Sequence, residues 1–193
     1  ISLLSSINHQ HKYYFAGYAS SLFVFSRLAQ KNNINDIRFK SVISFGDKMF
    51  PHYRKAIQEV FGAQVYDTYG CCEGIMFSGQ CELGNYHIMS PHVHLEIVDK
   101  EGKPVPDGTL GYVVATRLDG YTMPLIRYYM GDMAVKTDRS KTCECGRGFP
   151  IMEQIIGRDT DIIRTKKGKY LVVHIFTLIF EQYSSIKQFR VIQ

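Results

Sequence analysis

The 193-residue chain has no tryptophan, and its longest apolar stretches, near 22–25 and 175–180, are short. A membrane-spanning helix needs ~20 apolar residues, so no bilayer crossing by a helix is expected. No segment with a basic start, an apolar middle and a small-residue cleavage site marks a secretory leader. A basic stripe is lacking too. The net charge of +5 is thinly spread, and "RTKKGKY" at 164–170 is its densest patch, which argues against nucleic-acid binding. The five cysteines are an odd number and include the adjacent Cys71–Cys72. They do not form a secreted disulfide framework, and a reducing cytoplasm is the expected compartment. No internal repeat or low-complexity tract is present. An initiating methionine is also missing: "ISLL" opens already in an apolar pattern, and the chain is expected to be an excised portion of something longer.

What is there reads as a globular protein, with 45% apolar and 21% charged residues. Its length suits one large domain with a substantial core. In "YASSLFVFSRLA" (18–29), Leu22, Phe25, Ser26 and Ala29 recur at helical spacing. "IRFKSVISF" (37–45) is a β-branched strand ending at Gly46. Pro51 opens a second helix with Tyr53, Ile57, Val60 and Phe61 on one face and Gly62 placed to cap it. "AQVYDTY" (63–69) is the next strand, so strand, helix and strand make a βαβ unit and predict a parallel sheet. Ligands of such sheets bind beyond the carboxyl ends of the strands. Gly46 and "YDTYGCCEG" (66–74) lie at those ends. The second stretch reads in two ways: a strand end that turns at Gly70, or a loop that holds a planar ring, an anionic group and a metal together.

Beyond residue 85 the pattern becomes all-β, antiparallel or barrel-like. Residues 92–118 read as two strands around a Gly/Pro-rich excursion. "MPLIRYYMGDMAVK" (123–136) reads as two more joined at Gly131–Asp132. A hairpin is expected at Lys167–Gly168, then a short helix "HIFTLIFEQY" and a strand "IKQFRVIQ". The expected fold class is α/β. A parallel βαβ part (1–84) is followed by a β-rich subdomain (85–157) and the start of a small α+β domain (158–193).

"YDTYGCCEG", "MPLIRYYMGD" and "IGRDTDII", in this order, resemble the adenylate-forming ligases. They are most similar to phenylacetate–coenzyme A ligases and the related adenylating enzymes of capsular polysaccharide gene contexts. The resemblance implies activation of a carboxylate, expected to be aryl, with ATP, forming an acyl-adenylate that passes to coenzyme A. It implies that Tyr69 stacks on adenine, that Asp67, Thr68 and Gly70 lie at the adenine edge, and that Gly46 and Asp47 line the pocket. Glu73 would hold Mg²⁺ bridging the ATP phosphates, a hard-oxygen task. Cys72 stands where the family places a threonine or serine against the α-phosphate, and a thiol donates hydrogen bonds weakly. Asp132 would accept both ribose hydroxyls, and Arg158 would reach the nucleotide. Thr160 occupies the family's hinge aspartate position. The phosphate loop would lie before Ile1 and the catalytic lysine after Gln193, since Lys166, Lys167 and Lys169 are too near the hinge. The chain by itself is therefore expected to be inactive.

The remaining cysteines carry a separate reading. Cys81 and His87 in "CELGNYH", with Cys143 and Cys145 in "CECGRGFP", offer three thiolates and an imidazole. That set suits a closed, structural tetrahedral Zn²⁺ site. The resemblance supports it, since related ligases carry such segments in these places. His92 and His94 are read as a solvated pair, and His9 and His11 carry no reading. The partners implied are a small-molecule carboxylate and coenzyme A, with no nucleic acid and no membrane; a homodimer of the full-length protein is left open. The competing reading is a non-catalytic, zinc-stabilised module that binds nucleotide or a partner, favoured by Cys72 and Thr160.

Overall fold

The computed structural model describes residues 13–34, 36–138, 140–152, 155–166, 170–181, 183 and 185–192. Strand β1 (Tyr13–Tyr18) leads into helix α1 (Ala19–Lys31), then β2 (Phe39–Phe45), α2 (Pro51–Phe61) and β3 (Gln64–Cys71). Shorter strands follow: β4 (Ile75–Gln80), β5 (Tyr86–Ile88) and β6 (Val93–Val98). After β7 (Leu110–Arg117) and β8 (Tyr128–Val135) come β9 (Ile151–Met152) and β10 (Ile155–Arg158). A 3-10 turn (Asp159–Asp161), β11 (Ile162–Arg164), β12 (Tyr170–Val172) and α3 (His174–Phe180) complete the order. The chain divides into two compact units, 1–93 with 142–152, and 94–141 with 153–193.

The first unit is built on a six-stranded sheet ordered β1-β2-β3-β4-β5-β9. Its first three strands are parallel, as the βαβ pattern predicts. The remaining pairs are antiparallel. In α2, Tyr53, Ile57 and Phe61 sit four residues apart, which puts them on one buried face. Pro51 stands at the start of α2 and Gly62 closes it at φ 60°, its N–H donating to the Gln58 carbonyl at 2.9 Å. Rings dominate the core: Phe39 stacks on Phe15 (4.8 Å) and meets Phe61 (5.1 Å), while Phe23 stacks on Tyr53 (4.3 Å). Burying each such side chain is worth about 1.5–3 kcal/mol.

Helix α1 has no cap of its own, since Tyr18 makes no side-chain bond at its start. Asp47, in the loop after β2, supplies one: the Ala19 and Ser20 N–H groups donate to its two carboxylate oxygens. A negative charge at a helix N-terminus satisfies orphan donors and complements the helix dipole.

Three expectations need correction. The stretch 66–74 is neither a strand ending at Gly70 nor an open loop. Strand β3 runs on through Cys71, and the chain turns at 72–74 into the antiparallel β4. Gly70 is paired with Met76, and a Cβ there would lie 2.8 Å from the Ile75 carbonyl oxygen, so glycine answers to close packing rather than to a turn. Gly131–Asp132 does not join two strands but lies inside the single strand β8. The register shifts opposite it, from Tyr112↔Met133 to Val114↔Tyr129, and Gly131 has φ 71°, so the glycine accommodates a bulge. Finally, "IKQFRVIQ" forms no strand over 186–192, where among the described residues no neighbouring strand accepts its backbone bonds. Strand β1 has no counterpart in the sequence reading: "YYFAGY" runs three aromatic residues into Ala16–Gly17 and shows no polar–apolar alternation.

The second unit carries a four-stranded sheet ordered β10-β8-β7-β6 and a two-stranded one, β11-β12. Its β10–β8 and β8–β7 pairs are antiparallel. β11 and β12 also pair antiparallel, and the turn expected between them at Lys167–Gly168 lies outside the described residues, as do His9 and His11.

Candidate functional site

In the first unit the four expected metal ligands converge. One ligand atom from each of Cys81, His87, Cys143 and Cys145 lies within 4.8 Å of the others. Two tight turns present them. In the first, the Gly84 N–H donates to the Cys81 carbonyl at 2.9 Å and the Cys81 N–H to the Asn85 carbonyl at 2.8 Å. In the second, the Gly146 N–H donates to the Cys143 carbonyl at 3.2 Å. Both glycines have positive φ, 85° and 78°, a conformation costly for other residues.

Two of the donor spacings match those around a tetrahedral ion. Zn–S bonds of about 2.3 Å hold two sulfurs about 3.8 Å apart, and a sulfur and an imidazole nitrogen about 3.6 Å apart. Here Cys81 Sγ and Cys143 Sγ are 3.8 Å apart, and Cys145 Sγ is 3.3 Å from His87 Nε2. His87 Nδ1 faces the Phe149 carbonyl at 3.0 Å, which places the ring proton on Nδ1 and leaves the Nε2 lone pair toward the thiols. Around the cluster, Asn85 Nδ2 donates to Cys143 Sγ at 3.3 Å, and Arg147 pairs with Glu82 across the two turns. Burial pushes the Cys145 thiol up, but hydrogen bonds with Arg147 and with the Cys143 and Cys81 thiols outweigh it and bring its pKa to about 6. A thiolate is the form a metal binds. Cys71 and Cys72, set aside as ligands in the sequence, stay outside the cluster.

On the same sheet, Asp67 in β3 is buried. Its carboxylate accepts hydrogen bonds from the Ser44 hydroxyl on β2 and the Tyr86 hydroxyl on β5. Burial raises its pKa, and these two bonds and the Arg54 charge work against that rise. Lys48 lies close enough for the Asp67 charge to oppose the lowering that burial imposes on its ammonium. Thr68 Oγ1 donates to the Ser44 carbonyl at 2.9 Å, and the Tyr69 ring lies 5.0 Å from that of Phe77. Cys72 and Glu73 are exposed on the turn that follows. Gly46 faces the Tyr18 ring so closely that a Cβ would fall 2.4 Å from it.

The sequence reading missed Ser44, Arg54, Gln80 and Tyr86, which hold this stretch together. Arg54 reaches from α2 to the Val65 carbonyl and, at 2.7 Å, to Gln80 Oε1. A signal for Tyr86 was available, since a residue next to a ligand histidine on a strand must point to the opposite face.

In the second unit, Asp132 and Arg158 are cross-strand partners on β8 and β10. Arg158 Nε lies 3.1 Å from Asp132 Oδ1, and Arg158 Nη1 donates to the Met130 carbonyl at 3.0 Å. Asp132 is buried while Arg158 is exposed. Beside them the Tyr129 hydroxyl donates to Asp159 at 2.6 Å, and Thr160 sits exposed in the 3-10 turn. Arg127, in "MPLIRYYMGD", serves the fold: it pairs with Glu96 at 3.2 Å and donates to the Gly102 carbonyl at 2.7 Å.

No protein-family model matches the chain. The chain is 36% identical over 115 residues, 57% of its length, to the phenylacetate–coenzyme A ligase of Thermus thermophilus. It spans 25% of that ligase's length. Among solved structures it is similar to an open conformation of 2-hydroxyisobutyryl-CoA ligase in complex with 2-HIB-AMP and CoA. That likeness has a TM-score of 0.77 at 24% identity, covering 95% of this chain and 44% of that one. An anthranilate CoA ligase in complex with anthranoyl-AMP matches with a TM-score of 0.62 at 16% identity, over 89% of this chain and 34% of that one. The resemblance carried by the three motifs is thus matched in sequence by a phenylacetate–coenzyme A ligase, and the fold is that of acyl-CoA ligases. Among the described residues no helix is long and apolar enough to cross a membrane.

Proposed function

We propose that this chain supplies the adenosine-binding part of an AMP-forming ligase that joins a carboxylic acid, of the aryl class, to coenzyme A. The observation that carries the reading is the 36% identity to a phenylacetate–coenzyme A ligase on an acyl-CoA ligase fold. Tyr69 offers its ring to adenine, with the backbone of 67–70 at the base's edge. The Asp67 carboxylate is already taken up by two hydroxyls, so in this reading it shapes the stretch rather than touching the base. Gly46 and Asp47 support the neighbouring strand end, Asp47 by capping α1. Asp132, paired with Arg158 across the two strands, is the acceptor this reading assigns to the ribose hydroxyls. The exposed guanidinium of Arg158, beside Asp132, would give the ribose side a fixed positive charge. Thr160 serves as the hinge position.

Glu73, exposed on its turn, fits Mg²⁺, which takes few protein carboxylates and keeps the substrate's phosphates as ligands. Bound there, the ion would offset phosphate charge during adenylation. Cys72 offers the α-phosphate only a weak donor, which this reading expects to show as reduced phosphate affinity. The cysteine–histidine cluster is assigned to a structural Zn²⁺, closed by its four protein ligands and without an open position for chemistry.

Isothermal titration of the purified chain with AMP tests the nucleotide reading. Binding is expected, weakened about tenfold or more by Asp132→Ala, in line with the loss of a buried acceptor pair. An absence of binding, or binding indifferent to Asp132→Ala, would overturn it.

A further inference from the structure

Two side chains join the cysteine–histidine cluster to the nucleotide stretch. Strand β4 pairs with β3 only from Thr68↔Gly79 onward. Just short of that point a side chain takes over the pairing: Gln80 Oε1 accepts the Asp67 N–H at 3.2 Å. The same oxygen accepts from Arg54 Nη2 at 2.7 Å, while Gln80 Nε2 donates to the Gly84 carbonyl at 2.8 Å. Gly84 belongs to the turn that presents Cys81. One amide side chain therefore spans from the ligand turn to the Asp67 backbone.

Tyr86 makes the second link. It precedes the ligand His87 and, pointing to the other face of β5, donates its hydroxyl to Asp67 Oδ2. On its inner side β5 pairs with β4 at Ser78↔Ile88, Gly79↔His87 and Gln80↔Tyr86. β5 is three residues long, and its outer neighbour β9 is two, held in register at Tyr86↔Met152 and His87↔Ile151.

We propose that Gln80 and Tyr86 are positioning residues through which the filled metal cluster fixes Asp67, and with it the geometry of the nucleotide stretch 66–69. The inference rests on the metal and nucleotide readings given above. With the ion in place, both ligand turns are rigid, so Gln80 and Tyr86 grip Asp67 from two sides. With the ion removed, the 81–87 turn and the 142–152 segment lose their common anchor, and both grips loosen while the packed βαβ core stays folded.

The test is amide hydrogen exchange on the purified chain, with zinc content measured before and after treatment with a chelator. Stripping is expected to speed exchange of the Asp67 amide by about tenfold while leaving the amides of α2 unchanged. Gln80→Ala should speed Asp67 to a similar extent while retaining zinc, and stripping that variant should add little more. Tyr86→Phe, which keeps the ring, should retain zinc yet weaken AMP binding. Metal content separates the ways of failing. A chain that binds no zinc overturns the metal reading and this inference with it. A chain that binds zinc but protects Asp67 equally after stripping overturns only the coupling. Equal loss of protection in α2 would also overturn it, because the ion would then hold the whole unit.

Discussion

Two halves of one sheet are held by different means. From β1 to β3 the strands are six to eight residues long, parallel, and backed by two helices whose rings interlock with theirs. From β5 to β9 the strands shrink to three and two residues. There three thiols and an imidazole cluster, and in the metal reading proposed above an ion bound by them, rather than packed rings, gathers the chain. The difference teaches where each half's stability comes from. A ring core loses free energy a methylene at a time, whereas a coordination cluster is lost as a unit when its ion or any ligand goes. It also locates the polar network, since Asp67, Gln80 and Tyr86 lie at the seam between the halves.

The largest break in this comparison should come from the ring-held half. Phe61→Ala is expected to cost about 3–5 kcal/mol in urea unfolding, because Phe61 is fully buried against Phe15, Phe25 and Phe39. A loss under about 1 kcal/mol would show that the core relaxes around the gap. Cys143→Ser should act locally: limited proteolysis is expected to cut first within 142–150, with α2 still intact. Simultaneous cutting in both halves would erase the distinction. Asp47→Ala, which leaves the α1 N-terminus uncapped, should cost about 1 kcal/mol, and Asp47→Asn should recover part of it.

The seam gives a pH signature. Burial raises Asp67 above its ordinary 3.8, only partly offset by Ser44, Tyr86 and Arg54. A raised value in the fold means that the folded chain holds this proton more tightly than the unfolded one. The resulting stability is complete below 3.8 and is lost as pH climbs through the elevated value. Stability curves of the wild type and Asp67→Asn, measured by urea midpoint, should therefore diverge across that weakly acidic window, with the wild type losing ground as pH rises. Parallel curves would contradict the direction. Smallest of all, Lys55→Ala should change stability by only about 0.3–0.5 kcal/mol, since its pair with Glu59 is solvent-exposed.

The ring-held half was legible in the sequence because its signals are local. Pro51, the four-residue spacing of Tyr53, Ile57 and Phe61, and Gly62 at the helix end define α2 without help from the rest of the chain. The ligand set was legible by chemistry, since thiol and imidazole side chains in short spacings have few other uses. The path of the chain near the candidate site was less so. Gly70 and Gly131 look like turn residues, yet both lie within strands, one for close packing and one for a bulge, and only the partner strand reveals which. That Asp47 caps α1 was not legible, because the Ser20 N–H it accepts lies 27 residues earlier in sequence. Gln80 and Arg54 had no signal of their own, because their roles depend on where β4 parts from β3.

The division between a ring-held and a metal-held half is tested most directly by zinc K-edge absorption on the purified chain. The account predicts stoichiometric zinc with three sulfur neighbours at about 2.3 Å and one nitrogen at about 2.0 Å. Absence of bound zinc, or a first shell of oxygen, would contradict it.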